Sequence, residues 1–398
     1  MQFLLRFVFS FWRLLPRNGR RRLFIRLTRL AVPRRGTATA RLPVVVAGML
    51  SSATGLGESA RMNVDGVRRA GLPFATVDIS GFPMTPADLP PYAVSGQVSP
   101  TGPGSLILHV SGQIIPLALF CCGRKVVRDK RLIGFLHWEL PRLPADWRVG
   151  LDYLDEIWVP SRFCAEAVRR DFSRPVSIIL HPVEVDGVRK RPASDGVFTA
   201  LSMFNMASGF ERKNPLAAVR AFKQAFGDDP ATRLVVKIVN VDHYPAGMEQ
   251  LRAAIGDQAN ITLVTEVLSR PAVLNLIAGS DAVLSLHRAE GFGLLAAEAM
   301  LIGVPVIATD WSATAEFLTA ETGCPVPYRL IPAVDPQGAS HFPDQLWADP
   351  DVDAAAAALV RLRRDPGFAQ ALADRGRAAA ATLFSAERYA ELIRKALS

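Results

Sequence analysis

The sequence has little cysteine: four residues in 398, and no two are spaced as metal ligands are. Adjacent Cys121 and Cys122 make a poor disulfide framework, so a reduced, cytoplasmic compartment fits best. A Ser-His-Asp nucleophile elbow, a cluster of Cys and His residues and a Walker loop are also missing. These absences exclude the commonest hydrolase, structural-zinc and P-loop signatures.

Long apolar runs are absent as well. Arg6 and Arg13 interrupt the apolar segment 1–16, which leaves a run too short to span a membrane. The positive charge follows the apolar stretch and no small-residue cleavage site is evident, so we expect no signal peptide. Residues 1–41 contain eleven arginines and no acid, and subtracting these charges turns the net charge of +9 into −2 for the remainder.

Residues 1–40 therefore form a predicted basic amphipathic arm. Apolar side chains followed by arginines suit a helix that lies in an anionic membrane surface, and we expect residues 1–35 to make that contact. This predicts a peripheral location on the inner face of the cytoplasmic membrane. The alternative is a helix packed on the protein's own body. No nucleic-acid partner is expected, because an arm that binds nucleic acid does not need seven large apolar residues.

The rest of the chain has the composition of a globular protein, with 49% apolar and 21% charged residues, and is too long for one ordinary core. From Pro43 onward, short apolar strands alternate with helices, and a polar segment at Glu184–Gly196 interrupts the series. This pattern predicts two successive parallel α/β domains, residues 41–190 and 191–380, followed by a terminal helical segment, residues 381–398.

A glycine-rich stretch, Gly55-Leu56-Gly57-Glu58-Ser59-Ala60, follows the first predicted strand and opens a helix. Glycines let backbone amides approach a phosphate, and the helix N-terminus adds positive potential. With Asp78 at the end of the next strand, the pattern also fits an NAD(P)-dependent dehydrogenase. Against that, Met49–Thr54 separate the strand from the glycines, whereas a dinucleotide fold turns tightly. A plain flexible loop fits the pattern equally well.

A second motif, Phe135–Pro141, leaves a strand at what should be the ligand-binding edge of the first sheet. His137, Trp138 and Glu139 combine an aromatic face with polar groups, as a sugar site does. A single histidine is more often structural, so this motif gains a role only beside the others.

A third motif, Gly209–Pro215, lies between a strand and a helix at the start of the second domain. Arg212 and Lys213 stand just before the helix, where two cations form a candidate diphosphate clamp. The alternative is a solvated charged loop, but the position after a strand favours the clamp.

The stretch from Asp281 to Phe317 has the pattern strand, glycine turn, helix and strand. Glu290 precedes the turn, and Glu298 lies in the helix among apolar residues that imply burial. A carboxylate can accept two hydrogen bonds from a ribose diol, and the amides of Gly291–Leu294 can bind a diphosphate or sugar hydroxyls. The alternative is a pair of exposed helix acids beside a core Phe292.

No metal site is predicted. Asp349-Pro350-Asp351 has a spacing that can hold a divalent ion on a nucleotide-sugar. It directly precedes an alanine-rich helix, however, where an aspartate caps the N-terminus. We therefore expect capping.

In this order, the motifs resemble the family-four (group 1) retaining glycosyltransferases of the GT-B fold. HRAEGFGLLAAEAMLIGVPVIATDWS is similar to the family's Glu-seven-Glu signature, and IGFLHWELPRLPADW, DEIWVPSRF, FERKNP and WADPDV resemble a bacterial polysaccharide branch. The resemblance covers residues 43–398. It implies an α/β fold in which a Rossmann-like acceptor domain faces a Rossmann-like nucleotide-sugar donor domain across a cleft. The last helix is implied to return to the first domain.

The resemblance also implies roles for single residues. Glu298 resembles the acid that binds the donor ribose, Glu290 the acid that faces the donor sugar, and Lys213 the lysine that binds the diphosphate. The family's partner arginine lies several residues earlier, where this chain has Met206-Ala207-Ser208. Arg212 is the candidate replacement.

His137 resembles the histidine near the transferred sugar, and with Glu290, Lys213 and Arg212 it completes the implied catalytic set. The other implied donor-binding positions act through a glycine loop or through backbone amides. They are Gly55, Gly57, Gly291, Phe292, Gly293 and Leu294.

The implied activity is transfer of a hexose, with retention, from a UDP- or GDP-linked sugar to an acceptor hydroxyl, without a bound cofactor or metal. The implied acceptor is a glycan or a lipid-linked oligosaccharide or polysaccharide intermediate. The dehydrogenase and a catalytically inactive GT-B scaffold stay as alternatives, and a nucleotide-sugar epimerase or phosphorylase is a related one. The chain shows no cofactor-lysine motif of a phosphorylase.

Overall fold

A computed structural model of the protein describes residues 40–81, 84, 87, 89–94, 96–191, 196–338 and 344–398. The predicted membrane contact, residues 1–35, lies outside the described residues. Among the helices of the described segments, none is long and apolar enough to cross a membrane.

The first half of the described chain forms a parallel six-stranded sheet with helices on both faces. Its strands are β1 (Val44–Gly48), β2 (Phe74–Asp78), β3 (Gly104–His109), β4 (Lys130–Phe135), β5 (Glu156–Val159) and β6 (Val176–Ile178). They lie in the order β2-β1-β3-β4-β5-β6. The helices are α1 (Gly55–Arg69), α2 (Ile115–Cys122), α3 (Arg124–Val127), α4 (Arg148–Leu151) and α5 (Arg162–Arg169). Val45 and Val46 enter two different apolar clusters, so β1 is covered on both faces and needs no polar alternation.

The second half repeats this architecture. Its sheet contains β7 (Phe198–Asn205), β8 (Thr232–Val239), β9 (Ile261–Val264), β10 (Ala282–Ser285), β11 (Val306–Thr309) and β12 (Cys324–Val326). The order is β12-β11-β10-β7-β8-β9, again with parallel neighbours. The helices are α6 (Phe210–Lys213), α7 (Pro215–Phe226), α8 (Pro245–Ile255), α9 (Arg270–Ala278) and α10 (Leu294–Ile302).

An antiparallel hairpin and three helices complete the described chain. These elements are β13 (Tyr328–Pro332), β14 (Leu346–Pro350), α11 (Val352–Arg364), α12 (Pro366–Leu383) and α13 (Ala386–Leu397). Tyr389 and Ile393 of α13 are buried in the same apolar cluster as Val44 and Val64 of the first domain. The two parallel sheets and this returning helix confirm the predicted α/β GT-B architecture.

Three local features can be compared with the sequence analysis. Asp351 caps α11 by accepting a hydrogen bond from the amide of Ala354 (3.0 Å), as predicted. The glycine stretch is not a loop: α1 begins at Gly55, because the Thr54 side chain accepts from the amide of Gly57 (3.1 Å) and caps the helix. The hairpin β13–β14 was not predicted, since prolines at its strand ends hide the strand pattern.

Candidate active site

The carboxyl ends of the strands in the two sheets face each other across the domain boundary. Ser161, after β5, donates a hydrogen bond to the carbonyl oxygen of Gly291, after β10 (2.8 Å). Glu316 accepts from the amides of Arg162 and Phe163 at the start of α5 (2.8 Å each). In each parallel sheet the strand order reverses at one pair of neighbouring strands, β1/β3 in the first sheet and β7/β10 in the second. Ligands of parallel sheets bind at such points.

Lys213 and Glu290 meet at the second of these points. Lys213 ends α6, after β7, and Glu290 follows β10, and their side chains form an ion pair. Burial raises the pKa of Glu290, but the charges of Lys213 and Arg212 outweigh it and lower that pKa to about 2. The amide of Glu290 donates to Ser312 Oγ (2.8 Å), which fixes the backbone of the acid. The structure therefore brings these two predicted site residues together in an ion pair, in which Glu290 is ionised at neutral pH.

Arg212 lies behind this pair. Its guanidinium donates to the carbonyl oxygens of Ser208 (2.8 and 3.1 Å) and Ala289 (2.9 Å). It also stands 3.5 Å from Glu290 and 3.6 Å from Glu139, which the loop after β4 supplies. The Arg212 side chain is only 5% exposed, against 21% for Lys213. Of the two cations, Lys213 is the one that a ligand can reach easily.

The glycine turn is shaped by contacts to both domains. A Cβ at Gly291 would lie 3.3 Å from the carbonyl oxygen of Trp138 in the first domain. Gly293 has φ +91 and a Cβ there would overlap Thr314, so both the backbone and the neighbour require glycine. Phe292 is buried beside His181 (ring centroids 5.0 Å apart). Leu294 begins α10, and a helix leaves its first amides without intrahelical partners, so they are available to an anion.

Glu298 occupies the second turn of α10 and is only 2% exposed. It forms an ion pair with Arg270 of α9, whose guanidinium also reaches the carbonyl oxygen of Glu184 (3.2 Å) and lies 4.0 Å from Glu58 of the first domain. Burial raises the pKa of Glu298 to about 7, and Arg270 limits that rise. The carboxylate is therefore poised to titrate near neutral pH.

His137 belongs to a stack of neutral rings on the first-domain side. Its Nε2 lies 2.8 Å from Nε2 of His181, so one of the two nitrogens carries the shared proton and the other accepts it. Phe135 stacks between His109 (centroids 4.7 Å apart) and His181 (4.9 Å). Burial lowers the pKa of His137 to about 4 and those of His109 and His181 well below their usual value. This wall is uncharged at neutral pH.

The structure explains Gly57 and Asp78 without a dinucleotide. A Cβ at Gly57 would overlap the carbonyl oxygen of Ser52, so this glycine permits close packing of α1 against the preceding loop. The Asp78 carboxylate accepts from the amide of Leu50 (3.1 Å) and from the hydroxyls of Ser51 (2.5 Å) and Ser80 (2.6 Å). Both carboxylate oxygens of Asp78 therefore accept hydrogen bonds from the neighbouring loops of the same domain. This geometry removes the basis of the dehydrogenase interpretation.

Gly55, the other predicted glycine, has a different environment: a Cβ there would meet nothing within 4 Å. It is the first residue of α1, capped by Thr54. Gly55 therefore stays a candidate for donor binding, as the open end of a helix.

Sequence reasoning missed Arg270 and Glu316. Arg270 is 28 positions from Glu298, and only the packing of α9 against α10 brings them together. Glu316 lies on a short 3-10 helix and accepts a hydrogen bond from the amide of Arg162 in the first domain. No local pattern could have indicated either contact. Within the described ranges, no three His, Cys, Asp or Glu side chains are arranged to hold a metal ion.

A family model described as "Family 4 Glycosyltransferase in conflict systems" matches residues 162–391, more than half of the chain. The chain belongs to this family. The matched residues include every second-domain side chain of the site, and the family-four assignment agrees with the resemblance seen in the motifs. Among curated proteins, none matches the sequence.

Solved structures show the same fold as this family 4 glycosyltransferase. S. aureus TarM, in a complex with UDP, has a TM-score of 0.56 at 12% identity, over 76% of this chain and 56% of TarM. Sucrose-phosphate synthase from Thermosynechococcus elongatus has a TM-score of 0.63 at 17% identity, over 89% of this chain and 98% of the synthase. Anabaena HepE, with UDP and glucose, has a TM-score of 0.63 at 13% identity, over 89% of this chain and 98% of HepE. The chain thus spans little more than half of TarM and nearly all of the other two.

Proposed function

We propose that the protein transfers a hexose from a nucleotide-sugar to an acceptor hydroxyl with retention at the anomeric carbon. This proposal rests on the Lys213–Glu290 ion pair, which lies where the strand order of the second sheet reverses. A nucleotide-sugar needs a cation for its diphosphate, an acid for its ribose and polar groups for its sugar. Lys213, Glu298, and Glu290 with the turn amides offer these groups on neighbouring elements.

Lys213 is the residue proposed to bind the diphosphate. On donor binding, its ammonium contacts the phosphates and offsets the negative charge that grows on the leaving group. Such electrostatic stabilisation is usually the largest single contribution that an enzyme makes to the rate. The bond from the anomeric carbon to the diphosphate oxygen breaks while the acceptor oxygen bonds to the same face. The acceptor proton passes to the leaving diphosphate.

Arg212 is proposed to position Glu290 rather than to contact the diphosphate directly. Three of its hydrogen bonds go to the carbonyl oxygens of Ser208 and Ala289, so moving it would leave buried groups without partners. Its charge still contributes to the potential at the site and holds Glu290 ionised. This assigns the diphosphate contact to Lys213 and a positioning role to Arg212.

The donor and acceptor are proposed on chemical grounds. TarM and HepE are described with UDP, so UDP-linked hexoses come first and GDP-linked hexoses second. The proposed acceptor is a glycan or a lipid-linked oligosaccharide or polysaccharide intermediate. The arm, residues 1–35, is proposed to hold the enzyme on the inner face of the cytoplasmic membrane, where such acceptors are elongated.

A donor-hydrolysis screen tests the function. Purified protein is incubated with UDP-glucose, UDP-galactose, UDP-N-acetylglucosamine and GDP-mannose, and released nucleotide is measured with and without candidate acceptors. We expect one donor to be turned over, and Lys213→Ala to lower that turnover by about a hundred- to a thousandfold. Tight binding of a donor without turnover under any acceptor would favour the inactive GT-B scaffold. No binding of any nucleotide-sugar would contradict the proposal.

A further inference from the structure

The amino-terminal edge of the first sheet lies opposite the cleft and carries features that the transfer site does not explain. Strands of a parallel sheet all begin at this edge, and the connecting helices end there. The starts of β1, β3 and β4 are adjacent, because Val44 pairs with Ser105 and Gly104 with Lys130. Residues just before β1 and at the ends of α2 and α5 therefore share one face of the molecule.

Two large apolar side chains are exposed on this edge. Leu42, just before β1, is 43% exposed, and Phe120, near the end of α2, is 51% exposed. None of the eight residues of α2 is polar, and such a helix is normally buried on all sides. Here Leu117, Phe120 and Cys121 are all at least partly exposed. A surface helix with an apolar outer face indicates a partner.

The same edge carries several exposed cations, with Asp129 and Asp171 exposed among them. Arg124 and Lys125 of α3, Arg128 just after it and Arg170 after α5 are exposed. Asp129 lies 3.4 Å from Arg128, but Arg124, Lys125 and Arg170 have no acidic group within 4.0 Å in the described part of the chain. Exposed apolar side chains beside unpaired cations complement a binding partner whose surface is anionic and whose interior is apolar.

We propose that this edge docks on an anionic lipid bilayer, with Phe120 and Leu42 in the headgroup boundary and Arg124, Lys125, Arg128 and Arg170 on lipid phosphates. We name these six residues the basic edge. Amphipathic surfaces bind membranes through this combination of buried apolar area and attraction to anionic headgroups. The inference rests on the membrane contact proposed for the arm, and it deepens that proposal by adding a second contact on the folded domain.

The position of the arm supports this occupant. Arg41, the last of the eleven N-terminal arginines, directly precedes Leu42, so the arm joins the fold at the basic edge. Like charges oppose packing of the arm on the basic edge, and they oppose pairing of two copies through it. A nucleic acid would match the charge but would leave Phe120 and Leu42 without a role. An anionic bilayer satisfies both the charge and the apolar side chains.

The test uses the full chain and co-sedimentation with phosphatidylcholine vesicles that contain or lack phosphatidylglycerol. Arg124→Glu with Lys125→Glu should weaken binding to the anionic vesicles by about twentyfold or more, because each basic residue near such a surface contributes on the order of a fivefold gain. Phe120→Ser should weaken it by about tenfold through lost apolar burial.

Two matched controls lie on the second domain. Arg220→Glu with Arg364→Glu makes the same change in net charge on α7 and α11, where both residues are exposed. Val267→Ser removes an apolar side chain that is 81% exposed after β9. Both controls should bind vesicles within a factor of about two of the parent chain, because a surface held away from the bilayer contributes little beyond a Debye length.

Three results would overturn the inference. Equal losses in the variants and the controls would mean that only net charge matters. No loss in any variant would leave the arm as the sole contact. Tighter binding to duplex DNA than to vesicles, with the same dependence on Arg124 and Lys125, would assign the edge to nucleic acid. Donor hydrolysis, measured in parallel, tests glycosyl transfer separately, since the basic edge lies outside the proposed site.

Discussion

The second-domain wall of the cleft is charged, whereas the first-domain wall that faces it consists of a neutral histidine stack, with Glu139 and Glu58 reaching Arg212 and Arg270 at its margin. On the second domain, Lys213 and Arg212 surround Glu290, and Arg270 pairs with Glu298. On the first domain, burial keeps the His137 and His181 rings uncharged at neutral pH. The two walls thus offer different chemistry to a ligand between them.

This difference suggests how a donor lies in the cleft. Phosphates gain most from fixed positive charge, which the second wall provides. Neutral imidazoles and aromatic rings suit sugar hydroxyls and ring faces, which the first wall provides. We therefore expect nucleotide affinity to depend on the second wall and transfer of the sugar to depend on both. Substitutions on each wall can separate the two contributions.

The largest effect is expected from Lys213→Ala. Removing the accessible ammonium should lower kcat by about a hundred- to a thousandfold, the range seen when one electrostatic donor is lost from an active site. Steady-state turnover of the donor found in the screen measures it. Arg220→Ala, an exposed cation on α7, is the control and should leave kcat unchanged. Near-normal turnover in Lys213→Ala would remove the lysine from the site.

A smaller effect is expected from His137→Ala on the neutral wall. If His137 contacts the transferred sugar as the family resemblance implies, loss of its hydrogen-bonding group should lower kcat by about ten- to a hundredfold. Affinity for UDP, measured by calorimetry, should stay within a factor of about two, because a missing neutral group leaves the charge of the second wall unchanged. Weakened UDP binding would show that the two walls do not divide their roles.

The contrast between the walls also explains how far the sequence could predict the site. Glu290 and Lys213 could be placed together because they follow β10 and β7, the two neighbouring strands at which the strand order reverses. The engagement of Arg212 with Ser208 and Ala289 depends on side-chain direction, which spacing does not indicate. Arg270 and Glu298 meet only through helix packing.

The fold was predictable for a similar reason. Buried parallel strands such as β1 have a continuous apolar sequence, so both sheets and their alternating helices could be recognised. The hairpin of β13 and β14 has no such signal, because three of the five β13 residues are apolar without regular alternation and proline ends both strands. Contacts between domains, such as that of Glu316 with α5, depend on tertiary geometry alone.

A pH-dependent effect is expected at Glu298. The pKa of its carboxyl, raised by burial, is about 7. Ribose hydroxyls donate hydrogen bonds to the ionised form, so affinity for UDP-glucose should increase as the pH rises through about 7. The folded state itself is affected in the opposite direction: because the folded pKa is raised, stability falls as the pH rises from the unfolded value towards 7.

Arg270→Met sharpens this prediction. Arg270 lowers the pKa of Glu298, so its removal should move the midpoint of UDP-glucose binding to higher pH. A shift of one pH unit corresponds to about a tenfold loss of affinity below the midpoint. Arg270→Lys keeps the charge and should restore most of the profile. Glu298→Gln should abolish the pH dependence, and an unchanged profile in that variant would remove Glu298 from ribose binding.

The smallest effect is expected at the boundary between the walls, from Ser161→Ala. Ser161 Oγ accepts from the amide of Cys164 as the cap of α5 and donates to the carbonyl oxygen of Gly291 across the cleft. Ser385→Ala is a matched control, since Ser385 caps α13 in the same way through the amide of Arg388. Each loss of a cap should cost about 1 kcal/mol, or about 2–4 °C in Tm.

Only Ser161→Ala of these two variants should also change catalysis, because Ser161 donates to the carbonyl oxygen of Gly291 in the glycine turn, beside a longer contact from Cys164 Sγ (3.3 Å), whereas Ser385 lies away from the site. A loosened turn should lower kcat/KM by about threefold to tenfold, in line with one lost neutral hydrogen bond. Equal kcat/KM in the two variants, at equal loss of Tm, would show that the glycine turn holds its position without the hydrogen bond from Ser161. The remaining first-domain contacts of Gly291, from Cys164 and Trp138, would then be sufficient to fix the charged wall.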